Sequence, residues 1–181
     1  DINEAINEIL LEEEDADSLK VSILEYGSFD QINLAKKIEN HHLLEFRRIS
    51  ALVYRKNKKY QQSIEISKKL EFYKDAIETA FESGNPQLCE DLLKFFAVNK
   101  DKECFCACLY TCYDLIKTDI AMELAWRYEF NEFLMPYMIQ NTREMQTRLD
   151  YIQRKLEESE KKIRLYNIFG ERVRKCGDYV N

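Results

Sequence analysis

Residues 81–93 read FESGNPQLCEDLL, and they carry the signals for the end of one helix and the start of the next. Gly84 suits the left-handed backbone conformation that often terminates a helix. Asn85 is a favoured N-cap residue, and Pro86 fits the first helical turn, where its missing N–H is not needed. Apolar residues recur at spacings of three and four on both sides. The stretch therefore predicts two helices joined by a tight turn.

Comparable boundaries occur elsewhere in the chain. Ser28 is expected to cap a helix, with Gln31 completing a capping box. Thr118 is expected to cap a later helix, and either Asn99 or Asp101 another. Between these boundaries lie amphipathic segments of roughly 10–16 residues. They predict about nine helices before residue 131.

The positions of the boundaries predict a repeat. Tight turns and looser joins form two series, each stepping by about 30 residues, the length of one helical hairpin. We predict an all-α fold, an α-solenoid of stacked helical hairpins, with an irregular helical bundle as the alternative. Small residues are expected where helices cross: Ala76, Ala80, Ala107, Ala121 and Ala125. The tight turns are placed near Asn57, Gly84 and Lys117, and the looser joins near Leu70, Lys100 and Phe130.

Composition supports a helical domain and excludes several classes of protein. The 181 residues include only four glycines and two prolines, too few for the many turns of an all-β fold. The formal net charge of −6 argues against a nucleic-acid partner. Six cysteines without a secretory signal favour free thiols in the cytosol. Because the first residue is not Met, we expect a piece of a longer chain.

The C-terminal third is expected to form one long helix. No glycine or further proline occurs between Pro136 and Gly170. A helix of more than 30 residues cannot hide all its apolar side chains within a compact domain. Pro136 would leave the carbonyl of Glu132 without its N–H partner, at a cost of about 3 kcal/mol. It predicts a kink or a new helix start.

A heptad repeat runs along this helix and predicts self-association. With Leu149 at position a, eight of the ten a and d residues are apolar or aromatic. Thr142 and Ser159 interrupt the seam. A long helix packed along its own solenoid is the alternative. The a positions are Met135, Thr142, Leu149, Leu156 and Ile163, and the d positions are Met138, Met145, Ile152, Ser159 and Tyr166.

Catalysis is not favoured by the sequence, and no cofactor is expected. The two histidines, His41 and His42, are adjacent, and side chains of neighbouring helical residues diverge by about 100°. No phosphate-binding loop, nucleophile elbow or HExxH motif occurs. We therefore predict that the chain is not an enzyme.

The stretch CFCACLYTC, residues 104–112, contains four cysteines and could suggest a metal centre. On a helix, Cys104, Cys108 and Cys112 form one stripe, whereas Cys106 lies on another side. The four thiols cannot converge on one tetrahedral zinc ion. We predict that the stripe packs helices closely, and no metal site is expected there.

Several stretches together resemble the clathrin heavy-chain family. The similarity covers about residues 1–150 and fades after Leu149. Cys106 stands where the family usually has glycine, and the chaperone-recruiting motif QLMLT does not occur in this sequence. The stretches that carry the resemblance are LLEFRRI (43–49), FYKDA (72–76), CLYTCYDL (108–115), AWRY (125–128) and MPYMIQ (135–140).

The resemblance implies a structural coat protein. Family members form legs of stacked helical hairpins, and three legs join near their C-terminal ends into a triskelion. Triskelia build the polyhedral lattice of coated pits and vesicles on the cytosolic face of the plasma membrane, Golgi and endosomes. The lattice serves endocytosis and intracellular sorting. Residues 1–130 would be the last repeat of the proximal leg, and residues 131–181 the trimerisation helix and C-terminal tail.

The resemblance also implies partners and site residues. The partners would be two further copies of the chain, clathrin light chain, and neighbouring legs of the lattice. Membrane contact would be indirect, through adaptors. The residues expected at the trimer interface are Trp126, Met135, Pro136, Tyr137, Met138, Met145, Leu149, Ile152, Leu156 and Ile163.

Two alternative functions remain open at the level of sequence. A helical-repeat binding module would dock a partner on its surface, and an acidic light chain would prefer the basic residues Arg47, Arg48 and Lys74. A helical-repeat scaffold or adaptor of another vesicle coat or tethering complex would share the fold. Only the trimeric hub requires the long helix to self-associate, so the mass in solution distinguishes it from both alternatives.

Overall fold

The computed structural model describes the backbone of residues 2–177 and the side chains of residues 2–166. It is about 80% helical, with no strand in the described backbone. The all-α prediction is confirmed, and the described residues before 131 form nine helices, in agreement with the prediction of about nine. The helices are α1 Ile2–Glu12, α2 Ala16–Glu25, α3 Gln31–Ile38, α4 Leu44–Lys56, α5 Tyr60–Lys69, α6 Tyr73–Ser83, α7 Pro86–Val98, α8 Lys102–Thr111, α9 Thr118–Arg127 and α10 Asn131–Gly177.

The helices pack in chain order. Each of α1 to α7 contacts the next helix or the next but one, as in the pairs α3 with α4, α4 with α5, α6 with α8, and α7 with α9. Only local neighbours in the chain are therefore needed to build the core, as expected for stacked hairpins. This confirms the predicted α-solenoid of stacked helical hairpins.

The caps follow the sequence signals in part. Gly84 adopts φ 61°, and the Asn85 side chain accepts a hydrogen bond from the Gln87 N–H at 3.0 Å. Asp101 caps α8 by accepting from the Cys104 N–H at 2.9 Å. Local signals therefore fixed both of these boundaries.

Two predicted caps were wrong. Asp30 caps α3, and the Ser28 hydroxyl instead accepts a hydrogen bond from Asn3 at 2.7 Å. Lys117 precedes α9, so Thr118 is its first helical residue. The distinction between tight and looser joins was also wrong. The joins at 70–72, 99–101 and 128–130 are short, and the longest is 112–117.

Left-handed turns without glycine end five helices. In each, one N–H bonds back three residues and the next N–H bonds back five, the pattern of a Schellman turn. For Lys100, the N–H reaches the Ala97 carbonyl, and the Asp101 N–H reaches the Phe96 carbonyl, both at 3.1 Å. The five residues with positive φ are Glu14, Lys58, Glu71, Lys100 and Glu129. Three of them are spaced 29 residues apart, so the backbone itself records the repeat.

Small and hydroxylated side chains bring the helices close together. Four of the five predicted alanines are fully buried, but Ala107 is exposed, because it lies on the outer face of α8. Ser50 donates to the Ala35 carbonyl at 2.9 Å, and Ser63 donates to the Ala51 carbonyl at 2.8 Å. These two buried hydroxyls therefore each have a partner on the neighbouring helix, which offsets the cost of burying them.

Ion pairs link successive hairpins on the surface. Arg48 contacts Asp75 at 2.9 Å, and Arg55 contacts Glu82 seven residues further along each helix. Lys37 with Glu8 and Lys102 with Glu132 make similar links, and the four pairs span 27 to 30 residues. Exposed pairs of this kind contribute about 0–1 kcal/mol each. The ion pairs therefore repeat with the period of the solenoid, whereas the apolar core supplies its stability.

The chain divides into two compact units, Asp1–Leu134 and Met135–Asn181. The boundary predicted after residue 130 lies at the turn before α10, four residues ahead of this division, and stays a prediction. Pro136 lies inside α10, so the predicted new helix start there is wrong. Its place in the second helical turn removes only one backbone hydrogen bond, the one to Glu132. In the described residues, we find no helix with the length and apolarity of a membrane span.

Replacing Lys100 by glycine is expected to raise the free energy of unfolding by about 0.5–1 kcal/mol, because glycine adopts φ 57° without a Cβ clash. Lys94→Gly is the matched control. Lys94 lies inside α7, where glycine is expected to lower the free energy of unfolding by roughly 0.7–1 kcal/mol. Urea denaturation followed by circular dichroism measures both. A lower midpoint for Lys100→Gly would show that this turn is unstrained.

Candidate self-association surface

The second unit presents a continuous stripe of apolar side chains. Every described side chain from Met145 to Tyr166 is exposed. Five apolar residues at heptad positions a and d have 56–60% of their surface exposed. They recur at spacings of three, four and seven, so they share one face of α10 over roughly 27 Å. We call this stripe the seam: Met145, Leu149, Ile152, Leu156 and Ile163.

The two hydroxyl residues at seam positions are already satisfied within the helix. The Thr142 hydroxyl donates to the Met138 carbonyl at 2.8 Å, and the Ser159 hydroxyl donates to the Lys155 carbonyl at 2.9 Å. A hydroxyl with its own hydrogen bond costs much less to bury than a free one. The predicted interruptions therefore leave the seam suitable for burial against another helix.

The remaining residues expected at a trimer interface lie in different environments. Trp126, in α9, is 76% exposed, and Met135 and Pro136 are also exposed. Met138 is half-buried, and Tyr137 is fully buried within the chain. Tyr137 therefore offers no exposed surface to a partner in this structure.

The cysteine stripe joins a crossing of three helices. Cys108 and Cys112 are fully buried, and Cys104 is half-buried on the same side of α8. Cys89 in α7 lies beside them. Its thiol is a hydrogen-bonding partner of Cys112 and donates to the Ala80 carbonyl of α6 at 3.4 Å. Sequence reasoning missed the role of Cys89, because its only signal was an apolar position on the facing helix.

The surroundings of Cys89, Cys104 and Cys112 keep these thiols protonated and therefore unreactive. The hydrogen bond to Cys108, with burial, raises the pKa of Cys112 to about 12. The hydrogen bond to Cys112, with burial, raises the pKa of Cys89 further. Burial, with Asp101 nearby, raises the pKa of Cys104 to about 12. Since thiolates are the nucleophiles and metal ligands, these thiols are suited to packing.

The three basic residues considered for a light-chain surface are only partly available. Arg48 makes a bidentate pair with Asp75 and lies over the Phe72 ring, with its guanidinium carbon 4.9 Å from the ring centroid. Arg47 donates to the carbonyl of His42 at 3.1 Å. Lys74 is exposed. The structure therefore does not combine them into one free basic patch.

The two histidines lie in the loop 39–43 between α3 and α4, where their rings are 4.4 Å apart. The argument that neighbouring helical side chains diverge does not apply to them, because neither residue is helical. The Nε2 atom of His42 lies 3.2 Å from the Oε1 atom of Glu14, so the two side chains lie together on the surface.

Comparison with known proteins gives a consistent result. A family model described as "Region in Clathrin and VPS" matches residues 1–104. The chain is 50% identical over 153 residues to "Probable clathrin heavy chain 1" of Caenorhabditis elegans, covering 84% of this chain and 9% of that protein. It is 46% identical over 163 residues to "Clathrin heavy chain 1" of Oryza sativa, covering 90% and 10%. It is also 46% identical over 149 residues to "Clathrin heavy chain 2" of Homo sapiens, covering 82% and 9%.

The chain belongs to the clathrin heavy-chain family. It spans about a tenth of the length of the relatives it matches. The resemblance seen in the sequence is thus confirmed, with identities of 46–50% in the three relatives above. Clathrin heavy chains are structural coat proteins, which confirms the prediction that the chain is not an enzyme.

Alkylation of the native protein is expected to leave Cys89, Cys108 and Cys112 unmodified at mildly alkaline pH, because all three are fully buried and the pKa values of Cys89 and Cys112 are raised. Cys104 and Cys106, which are half-buried, should react slowly. Pulsed labelling with site-resolved mass spectrometry measures each thiol, and labelling in denaturant is the control. Rapid native labelling of Cys112 would contradict the packed arrangement.

Proposed function

We propose that the chain is a structural segment of a clathrin coat, in which α10 self-associates to join three copies into a hub. The exposed seam of α10 carries this proposal. Five large apolar side chains lie in line on one helix, and each is more than half exposed. An exposed apolar stripe of this kind marks a surface that binds another protein. Membership of the clathrin heavy-chain family supports the assignment of the partner as a second and third copy of the same chain.

The chemistry of the helix supports parallel association. Lys155 and Glu160 flank the seam at positions g and e, where opposite charges face each other between parallel helices. Leu149 at a and Ile152 at d favour three or more strands over two. Charged and polar residues predominate on the rest of the helix surface, so association through the seam leaves a mostly polar exterior.

In this proposal the hub belongs to a lattice on the cytosolic face of coated pits and vesicles. The stacked hairpins of the first unit form the end of a leg, and neighbouring legs of the lattice are further partners. Adaptors link the coat to the membrane. The coat then serves endocytosis and transport from the Golgi and endosomes.

Multi-angle light scattering of the whole chain tests the hub. We expect the parent to be a trimer and the double variant Ile152→Lys, Leu156→Lys to be a monomer at the same concentration. Burying a Leu or Ile side chain is worth about 1.5–3 kcal/mol. Each trimer loses six such side chains and gains six positive charges in the seam, so dissociation should be complete.

The matched control is Tyr151→Lys, Leu165→Lys. Both residues are exposed apolar residues of α10, but both lie at position c, away from the seam. The control has the same change of charge and loses similar apolar area, and it should remain a trimer. A parent that is monomeric, or a seam variant that stays trimeric, would refute the proposed interface.

We further propose that an acidic light chain binds the first unit through Lys74 and its basic neighbours. Lys74 is exposed, and positive charge predominates along residues 47–74. The internal contacts of Arg47 and Arg48 make Lys74 the most direct point of attraction. Charge complementarity at the exposed edge of a protein–protein interface acts mainly on the association rate.

Lys74→Glu is expected to weaken light-chain binding about threefold to tenfold at low salt, with most of the change in the association rate. Lys94→Glu, an exposed residue of α7, has the same charge change and should leave the affinity within about twofold. Surface plasmon resonance at two salt concentrations measures both rates. Equal effects of the two variants would show that only net charge matters.

A further inference from the structure

A cluster of ligand-type side chains lies apart from the seam, on the first unit. Glu14, His41 and His42 place one carboxylate oxygen and two imidazole nitrogens within 4.8 Å of one another. We propose that these three side chains bind a divalent transition-metal ion, with Zn²⁺ as the occupant. The ion would tie the turn after α1 to the loop before α4.

The distances fit one ion without a large movement of the chain. Ligand atoms bound tetrahedrally at about 2.0–2.1 Å lie roughly 3.3 Å from one another. The Nε2 atom of His42 is 3.2 Å from the Oε1 atom of Glu14. Two imidazoles bound tetrahedrally to one ion at that bond length have ring centroids roughly 5.2 Å apart. The His41 and His42 centroids are 4.4 Å apart, with the rings tilted by 32°. The rings therefore need to separate by roughly 0.8 Å, which rotation of the side chains can supply.

The donor types select the class of metal. Two imidazoles and one carboxylate are ligands that Zn²⁺ accepts, with a water molecule at the remaining position. Ca²⁺ and Mg²⁺ prefer an all-oxygen set, which these residues do not provide. Glu14 and His42 are exposed and His41 is half-buried, so an ion and its water can reach the cluster directly from solvent.

Neighbouring residues hold the two histidines in place. The His41 ring packs on Phe46, which is fully buried, with centroids 4.5 Å apart. Arg47 donates to the carbonyl of His42 at 3.1 Å, which fixes the loop. The His41 ring and the loop backbone are therefore positioned before the ion arrives, and less conformational entropy is lost on binding.

One contact limits the affinity. The Leu43 N–H donates to Nδ1 of His41 at 3.2 Å, so the neutral ring carries its proton on Nε2. An ion bound at Nε2 displaces that proton, the ring is then protonated at Nδ1, and the contact with Leu43 is lost. The loss of one weak hydrogen bond lowers the affinity roughly fivefold. We therefore expect micromolar binding, unlike the tighter closed structural zinc sites.

Zinc titration of the whole chain, with a chromogenic chelator as competitor, tests the site. The parent should bind a single ion, and His42→Ala and Glu14→Gln should each lower the affinity at least tenfold. Glu13→Gln, an exposed residue beside Glu14, is the matched control and should bind as the parent does. Zn²⁺ should raise the melting temperature of the parent and of Glu13→Gln, but not of the other two variants.

Cysteines are the competing ligands, and a second measurement separates them. Co²⁺ bound through nitrogen and oxygen gives visible absorption without the near-ultraviolet band of a cobalt–thiolate bond. The double variant Cys104→Ser, Cys106→Ser should retain zinc binding. Absence of binding by the parent, equal binding by His42→Ala, or a thiolate band that disappears in the cysteine variant would overturn the proposal.

Discussion

A hairpin of two amphipathic helices can bury one apolar face internally, and its second face must be covered by another hairpin. The first unit of this chain meets that requirement with neighbours in sequence, as α3, α4, α5 and α6 pack in order. Close approach depends on small side chains at the crossings, such as Ala76 and Ala80, and on hydroxyls that bond to the facing backbone. Burial along the stack thus sets the spacing of turns, caps and surface ion pairs.

The same requirement explains the character of α10. From Met145 to Tyr166 its side chains are exposed, although its seam is as apolar as the buried face of a solenoid helix. A helix of this kind is suited to pack against another helix of the same pattern, and in the proposed hub identical copies of the chain supply it. The hub would then use one physical principle twice, within the chain along the stack and between chains along the seam.

Sequence predicted the fold well wherever a local signal decided the structure. Gly84, Asn85 and Asp101 act through their own backbone geometry, and the heptad of α10 is readable from spacing alone. Ser28 failed as a cap because α3 begins at Gln31, where Asp30 is the capping residue, and the Ser28 hydroxyl bonds to Asn3, distant in sequence. The roles of Cys89 and of the two histidines were missed because their contacts are with residues of other helices and loops, and those contacts exist only in the folded chain. For the candidate site, the seam was predictable, whereas the burial of Tyr137 required the three-dimensional packing.

The five left-handed turns without glycine have a mechanical meaning. A Cβ atom at each joint excludes most of the backbone conformations that glycine could adopt, so the joint is confined to a narrow range of φ and ψ. Three such joints recur every 29 residues, at Glu71, Lys100 and Glu129. A stack built in this way gives up some equilibrium stability and gains stiffness. These three joints should resist bending more than the glycine joint at Gly84 or the longer join at 112–117, which lack the same restraint.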